Sequence, residues 1–113
     1  MSQSVAPRTN RRINFRRKAK GNVKPICRKG LLDLGRNLAV GLLDLSETGI
    51  RLVLREALPA AQEVSVGLEG PHHRQPLKRA GRVMWCVETA EKTFVVGVQF
   101  DKRLPYGEWT RMT

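Results

Sequence analysis

An arginine-rich run near the start of the chain has residue types and spacing that suit anion binding. Residues 11–17 hold four arginines, and Arg12 and Arg16 form an Arg-x-x-x-Arg. The planar guanidinium group binds phosphate through two parallel hydrogen bonds and can also pair with guanine or stack on a flat ring, which lysine does less well. The run therefore indicates a phosphorylated, nucleotide-like ligand, although a basic tail that only improves solubility would have a similar composition.

A second polar run has the pattern Asp-x-Ser-x-x-Gly, formed by Asp44, Ser46 and Gly49. Side chains two apart on a strand share a face, so we expect Asp44 and Ser46 to point together while Leu43 and Leu45 face the core. Gly49 permits a backbone turn that a Cβ atom would obstruct. Taken alone, the pattern also fits a hairpin turn whose Asp and Ser side chains hydrogen-bond their own backbone.

Signals of catalysis are weak elsewhere in the chain. His72 and His73 lie in a predicted exposed turn, without a cysteine or carboxylate partner nearby that would complete a metal site. Cys27 and Cys86 are far apart in sequence, and we expect them to be inert strand residues. The sequence has no phosphate-cradling glycine loop and no obvious acid–base pair of carboxylates. We therefore predict that the chain is not an enzyme and uses no metal and no cofactor.

The charge of the chain is unevenly distributed. The 21 Lys and Arg outnumber the 10 Asp and Glu, for a net charge of +11. Residues 1–30 contain ten of the basic residues and none of the acidic ones, so nearly all of the excess belongs to an N-terminal segment. Such a segment attracts anions, which include nucleic acid, nucleotides and acidic membrane surfaces.

Length and hydropathy limit the cellular setting. A chain of 113 residues allows one domain. The longest apolar run, Leu38 to Leu43, is far too short to span a membrane, and the basic start is not followed by the apolar stretch of a secretory signal. Two cysteines without a pair motif suit a reducing compartment. We expect a cytoplasmic protein.

Apolar residues in the rest of the chain alternate with polar ones, as in half-buried antiparallel strands. Five segments alternate clearly: 43–46, 50–55, 64–68, 82–87 and 94–100. A weaker sixth strand is predicted at Asn22 to Lys29, where Pro25 favours a sheet edge. Alternation with Val83 and Val87 predicts that Trp85 faces the core. Short strands at regular spacing indicate a small all-β barrel or sandwich.

The two polar runs and the strand pattern around them resemble the PilZ domain family, over roughly Arg11 to Phe100. The resemblance implies an all-β, six-stranded antiparallel barrel that binds the bacterial second messenger cyclic di-GMP. We expect a flexible basic arm at residues 1–20 and the barrel at residues 21–113. Many members carry a longer C-terminal helix, whereas here Leu104 to Thr113 allows one helical turn, so this helix is expected to be short or absent.

The resemblance also implies the ligand site. In the family, the arginine motif lies in an N-terminal loop that wraps over the ligand, and the Asp-x-Ser-x-x-Gly motif lies on the barrel surface beneath it. Carried over by position, the residues that bind cyclic di-GMP would be Arg12, Arg16, Asp44, Ser46 and Gly49. Arg11 and Arg17 flank the arginine motif and would add phosphate contacts. We expect a stand-alone receptor or adaptor that changes its arm conformation on binding and then signals through a protein partner.

Two other functions remain open from the sequence. A small basic barrel can bind nucleic acid through its phosphates without sequence preference. Single-strand binders of this size display several aromatic rings for base stacking, whereas aromatics here are 5% and Trp85 is expected in the core. An adaptor that has the fold but does not bind nucleotide is the third reading, and the presence of both motifs disfavours it.

Overall fold

A computed structural model of the chain describes residues 16–71 and 76–113. Arg11, Arg12, His72 and His73 lie outside these residues, so the predictions that concern them stay predictions. The described elements follow in chain order: β1 (Arg17–Lys18), β2 (Lys24–Lys29), β3 (Ala39–Leu45), β4 (Gly49–Leu54), β5 (Glu63–Glu69), β6 (Leu77–Glu88), β7 (Phe94–Phe100) and α1 (Tyr106–Met112).

The strands form one antiparallel sheet in the order β1–β3–β4–β7–β6–β5–β2. The predicted all-β fold is confirmed, with seven strands among the described residues where the sequence predicted six. The additional strand is β1, whose two residues pair with the end of β3. The proposed boundary between arm and barrel at residue 20 stays a prediction. β2 lies at the sheet edge that Pro25 predicts, because proline has no N–H for a second neighbour.

The sheet curls until β2 approaches β3, and Asn37 joins the two strands. Its Oδ1 accepts hydrogen bonds from the backbone N–H of Cys27 at 2.8 Å and of Ala39 at 3.0 Å. Its Nδ2 donates to the carbonyl of Pro25 at 3.3 Å, and the N–H of Leu38 donates to the carbonyl of Cys27 at 2.8 Å. The asparagine amide thus replaces part of a strand ladder between β2 and β3.

The loop between β2 and β3 is fixed to the barrel wall by Asp33. This carboxylate accepts from Arg28 Nη1 at 3.1 Å and from Lys78 Nζ on β6 at 2.6 Å. The same loop exposes leucines, among them Leu31, which lies over the outer surface of β6 and β7.

The helix α1 packs against the core of the sheet. Trp109 and Met112 are buried in the common core, and Trp109 Nε1 donates to the carbonyl of Leu45 at 2.8 Å. The seven residues of α1 make about two turns, so the prediction of a single turn is wrong, although the helix is short as expected. No helix in the described part of the chain is long and apolar enough to cross a bilayer.

Two bulges place residues on the outer face that simple alternation assigns to the core. The register shifts between Leu42 and Asp44 on β3, which leaves Leu43 40% exposed. It shifts again between Val83 and Trp85 on β6, so Trp85 is 41% exposed and Val87 59% exposed. The predictions that Leu43, Trp85 and Val87 face the core are wrong, because an extra residue in a strand reverses the alternation beyond it.

Cys27 behaves as an inert core residue. It is completely buried on β2, and burial raises the pKa of its thiol to about 12. Both Cys27 and Cys86 are free thiols. The thiolate, which is the nucleophilic form, is therefore strongly disfavoured at Cys27.

Candidate functional site

The turn between β3 and β4 is built around the hydroxyl of Ser46. Its Oγ accepts from the backbone N–H of Gly49 at 3.0 Å and of Thr48 at 3.3 Å, while the N–H of Ser46 donates to the carbonyl of Gly49 at 2.8 Å. Ser46 is only 1% exposed. The hairpin interpretation of the second motif therefore holds for Ser46, whose hydroxyl fixes the shape of the turn.

Gly49 is required by the closeness of its neighbours. A Cβ atom at this position would lie 2.7 Å from the carbonyl oxygen of Val98 on β7 and 3.5 Å from Nη2 of Arg16. The first distance is shorter than van der Waals contact allows. The missing side chain lets β4 approach β7 closely and leaves room for the Arg16 guanidinium above the turn.

Among the residues that the structure describes, the carboxylate of Asp44 forms ion pairs with two arginines, Arg16 and Arg51. Arg16 Nη1 donates to Oδ1 at 3.0 Å. Arg51 Nε donates to Oδ2 at 2.8 Å and to Oδ1 at 3.0 Å, and its Nη2 also contacts Oδ2. Asp44 is 7% exposed. Burial acts to raise the pKa of Asp44, but the hydrogen bonds and charges of Arg51 and Arg16 outweigh it and hold that pKa below its usual range.

Arg51 is a site residue that the sequence analysis missed. It lies on β4 directly opposite Asp44. The signal was present in the spacing: a four-residue turn from Ser46 to Gly49 places residues 45 and 50, and then 44 and 51, opposite each other across the hairpin. An aspartate and an arginine in opposite positions on one face predict an ion pair.

The residues of the turn open onto a cavity of about 230 Å³ on the outer face of the sheet, which we call the site cavity. Arg16, Ser46, Thr48 and Gly49 line one side. The other side is formed by β6 and β7: Met84, Trp85, Gly97, Val98 and Gln99. Within the described residues, a guanidinium group and an indole ring therefore face the same cavity.

Trp85 reaches the cavity because of the bulge on β6 and a glycine on β7. The register pairs Trp85 with Gly97, and Gly97 with Arg51. A Cβ atom at Gly97 would lie 2.5 Å from the indole, so only glycine lets the ring pack directly on the strand. One row across the sheet thus contains the carboxylate of Asp44, the guanidinium of Arg51 and the indole of Trp85.

The predicted site residues are partly assembled in the structure. Arg16, Ser46 and Gly49 line the site cavity, and Asp44 forms an ion pair with Arg16. Arg17 points elsewhere: its guanidinium carbon lies 4.7 Å from the centre of the Trp109 ring, beside the C-terminal helix. Its predicted phosphate contact stays a prediction.

The arrangement suits a ligand that combines negative charge with a flat ring. The two arginines outweigh the single carboxylate, which leaves a net positive site. An exposed indole offers a stacking surface for a nucleobase, and a guanidinium offers paired donors for phosphate.

Comparison with known proteins agrees with this description. A family model described as PilZ domain matches residues 10–109. A search of the curated proteins finds no match.

Proposed function

The chain belongs to the PilZ domain family, a family of cyclic di-GMP-binding domains, and from this premise we propose that it binds cyclic di-GMP at the site cavity. The observation that carries the proposal is the position of Arg16. Arg16 lines the cavity beside the Ser46–Gly49 turn, together with Trp85. Arg16 is also the second arginine of the Arg-x-x-x-Arg motif, so the two sequence motifs meet at one place.

We infer that the cavity residues contact different parts of the ligand. Arg16 donates to a ligand phosphate, and Trp85 stacks on a guanine. Ser46 fixes the shape of the turn, and Gly49 has no side chain, so the ligand can contact the backbone of the turn. Arg11 and Arg12 add phosphate contacts from the preceding segment, as the resemblance implies.

Asp44 has a more specific part in this proposal. Its carboxylate is occupied by Arg16 and Arg51 in the structure. Ligand phosphate competes with Asp44 for the donors of Arg16. When Arg16 turns to the phosphate, Oδ1 of Asp44 keeps only the Arg51 donor and gains room to accept from an N–H group of guanine, which adenine presents differently. Arg51 stays bound and keeps the carboxylate ionised.

The role beyond binding is a further part of the proposal. The segment before Arg16 follows Arg16 toward the ligand, and the resulting change of surface is read by a protein partner. This is a receptor or adaptor role in the cytoplasm rather than catalysis. Amide hydrogen exchange of residues 11–15 with and without cyclic di-GMP tests the first step, and equal exchange in both states contradicts it.

Titration calorimetry of the whole chain with cyclic di-GMP tests the binding itself, with cyclic di-AMP, GTP and a short single-stranded DNA as controls. We expect saturable binding of cyclic di-GMP, and affinities at least about tenfold weaker for the controls, which corresponds to about 1.4 kcal/mol. Equal binding of all anions, weakening together with added salt, would instead support the nucleic-acid alternative.

A further inference from the structure

A second and larger cavity adjoins the site cavity, and we call it the adjoining cavity. It has a volume of about 410 Å³ and shares Met84 and Gln99 with the site cavity. Its lining also includes Glu63 on β5, Arg82 on β6 and Leu31 in the loop after β2. None of these residues belongs to either motif.

The strand register connects the two cavities in one straight row. Gly49 on β4 lies opposite Gln99 on β7, Gln99 lies opposite Arg82 on β6, and Arg82 lies opposite Glu63 on β5. Neighbouring strands are about 4.8 Å apart, so Arg82 lies on the order of 10 Å from Gly49 along this row. Gln99, Arg82 and Glu63 are exposed on the same face.

The size of the site cavity argues that the ligand extends beyond it. Cavities that hold drug-sized ligands have volumes of about 300–1,000 Å³. The site cavity, at about 230 Å³, is smaller than that range, and a cyclic dinucleotide has two bases, two sugars and two phosphates. The adjoining cavity provides the additional volume, and it lies along the row of residues that runs from Gly49 to Glu63.

The groups in the adjoining cavity match the edge of a guanine. Within residues 16–71 and 76–113, the Arg82 side chain makes no hydrogen bond and no ion pair, so its donors are available. A guanidinium pairs with O6 and N7 of guanine through two hydrogen bonds. The carboxylate of Glu63 is an acceptor for the N–H groups of the same base. Met84 and Leu31, which are about half exposed, supply apolar contact for the ring faces.

We propose that the adjoining cavity is a second base subsite, in which Arg82 and Glu63 bind the guanine of cyclic di-GMP that is not stacked on Trp85. This inference rests on the proposed function and adds residues that lie outside both sequence motifs. Adenine presents an amino donor where guanine presents O6, so the subsite favours a ligand with two guanines over one with a single guanine.

Calorimetric titration of Arg82→Gln with cyclic di-GMP tests the subsite, with Arg55→Gln as the matched control. Arg55 is also an exposed arginine, but it follows β4 at the end opposite Gly49. We expect Arg82→Gln to weaken binding by at least about tenfold and Arg55→Gln by no more than about twofold. With cyclic di-AMP, which has no guanine, we expect wild-type binding to be weaker and the Arg82→Gln penalty to shrink.

The outcomes separate the two proposals. If wild type does not bind cyclic di-GMP, the proposed function fails and the subsite fails with it. If wild type binds and Arg82→Gln equals Arg55→Gln, the subsite alone is refuted. If Arg82→Gln loses the same factor with cyclic di-GMP and cyclic di-AMP, Arg82 does not read a guanine, and the inference is overturned. Both variants replace exposed side chains, and their melting curves check that the fold is intact.

Discussion

At the level of single residues, the proposed binding of cyclic di-GMP depends on side-chain geometry rather than on charge alone. Arg16 donates one hydrogen bond to Asp44 and lines the site cavity. A lysine at this position keeps the positive charge, but it lacks the planar guanidinium group and cannot donate two parallel hydrogen bonds to one phosphate.

The first prediction is that Arg16→Lys weakens cyclic di-GMP binding about tenfold to a hundredfold, or roughly 1–3 kcal/mol. Calorimetry at constant ionic strength measures the change. A protein that attracts the ligand only through its basic composition would bind equally well after this substitution, since the net charge is unchanged.

The second prediction compares the two tryptophans, whose surroundings differ sharply. Trp109 is 3% exposed and hydrogen-bonded to Leu45, whereas Trp85 is 41% exposed above Gly97. We expect Trp109→Ala to lower the free energy of unfolding by roughly 3–5 kcal/mol, as for other buried aromatics. We expect Trp85→Ala to change it little but to weaken ligand binding. Urea denaturation measures the stability of both variants. A large loss of stability in Trp85→Ala would show that Trp85 packs in the core.

At the level of the secondary-structure elements, alternation of apolar residues predicted most of the sheet. The segment 94–100 was predicted with its observed bounds, and Pro25 predicted the edge position of β2. The positions of the two bulges could not be read from the sequence, because a bulge depends on how a strand pairs with its neighbour. The error at Trp85 follows directly: one extra residue at Met84 turned the indole from the core to the site.

The site was predictable to a similar degree. The two motifs indicated Arg16, Ser46 and Gly49, which the structure brings together at the cavity. Arg51 could have been found from hairpin spacing, but Arg82 could not. Its place beside the site arises from the order of strands β4, β7, β6 and β5, which is a property of the whole sheet.

The third prediction concerns the close approach of β4 and β7. Gly49→Ala places a Cβ atom 2.7 Å from the carbonyl oxygen of Val98, so one strand must shift. We expect a loss of about 1–3 kcal/mol in stability, as in other overpacked sites, together with weaker ligand binding. Gly21→Ala is the control, because a Cβ atom there meets nothing within 4 Å. Equal melting temperatures for the two variants would show that the turn tolerates a side chain.

At the level of the whole molecule, the fourth prediction links the partly buried ion pair of Asp44 to acid stability. The pKa of Asp44 is lower in the folded protein than the value of about 3.9 expected when the chain is unfolded. Its contribution is therefore fully present above about pH 4 and is lost as the pH falls through the folded pKa. The pKa values of Asp33 and Glu56 are also lowered, so other groups add to the same trend.

Denaturation between pH 2 and 6 isolates the Asp44 contribution when wild type is compared with Asp44→Asn. We expect the variant to lose less stability than wild type on acidification, because one carboxylate no longer has to be protonated. Parallel pH profiles would show that Asp44 is not held ionised by Arg16 and Arg51.

The whole chain contains two tryptophans, which permits a direct test of where the ligand binds. In Trp109→Phe the remaining tryptophan is Trp85 at the site cavity, and in Trp85→Phe it is Trp109 in the core. Fluorescence titration with cyclic di-GMP is the measurement, after melting curves confirm that both variants are folded. We expect saturable quenching of Trp85 with the affinity found by calorimetry, and no matching change at Trp109. Calorimetric saturation without any change in Trp85 emission would contradict binding at this cavity.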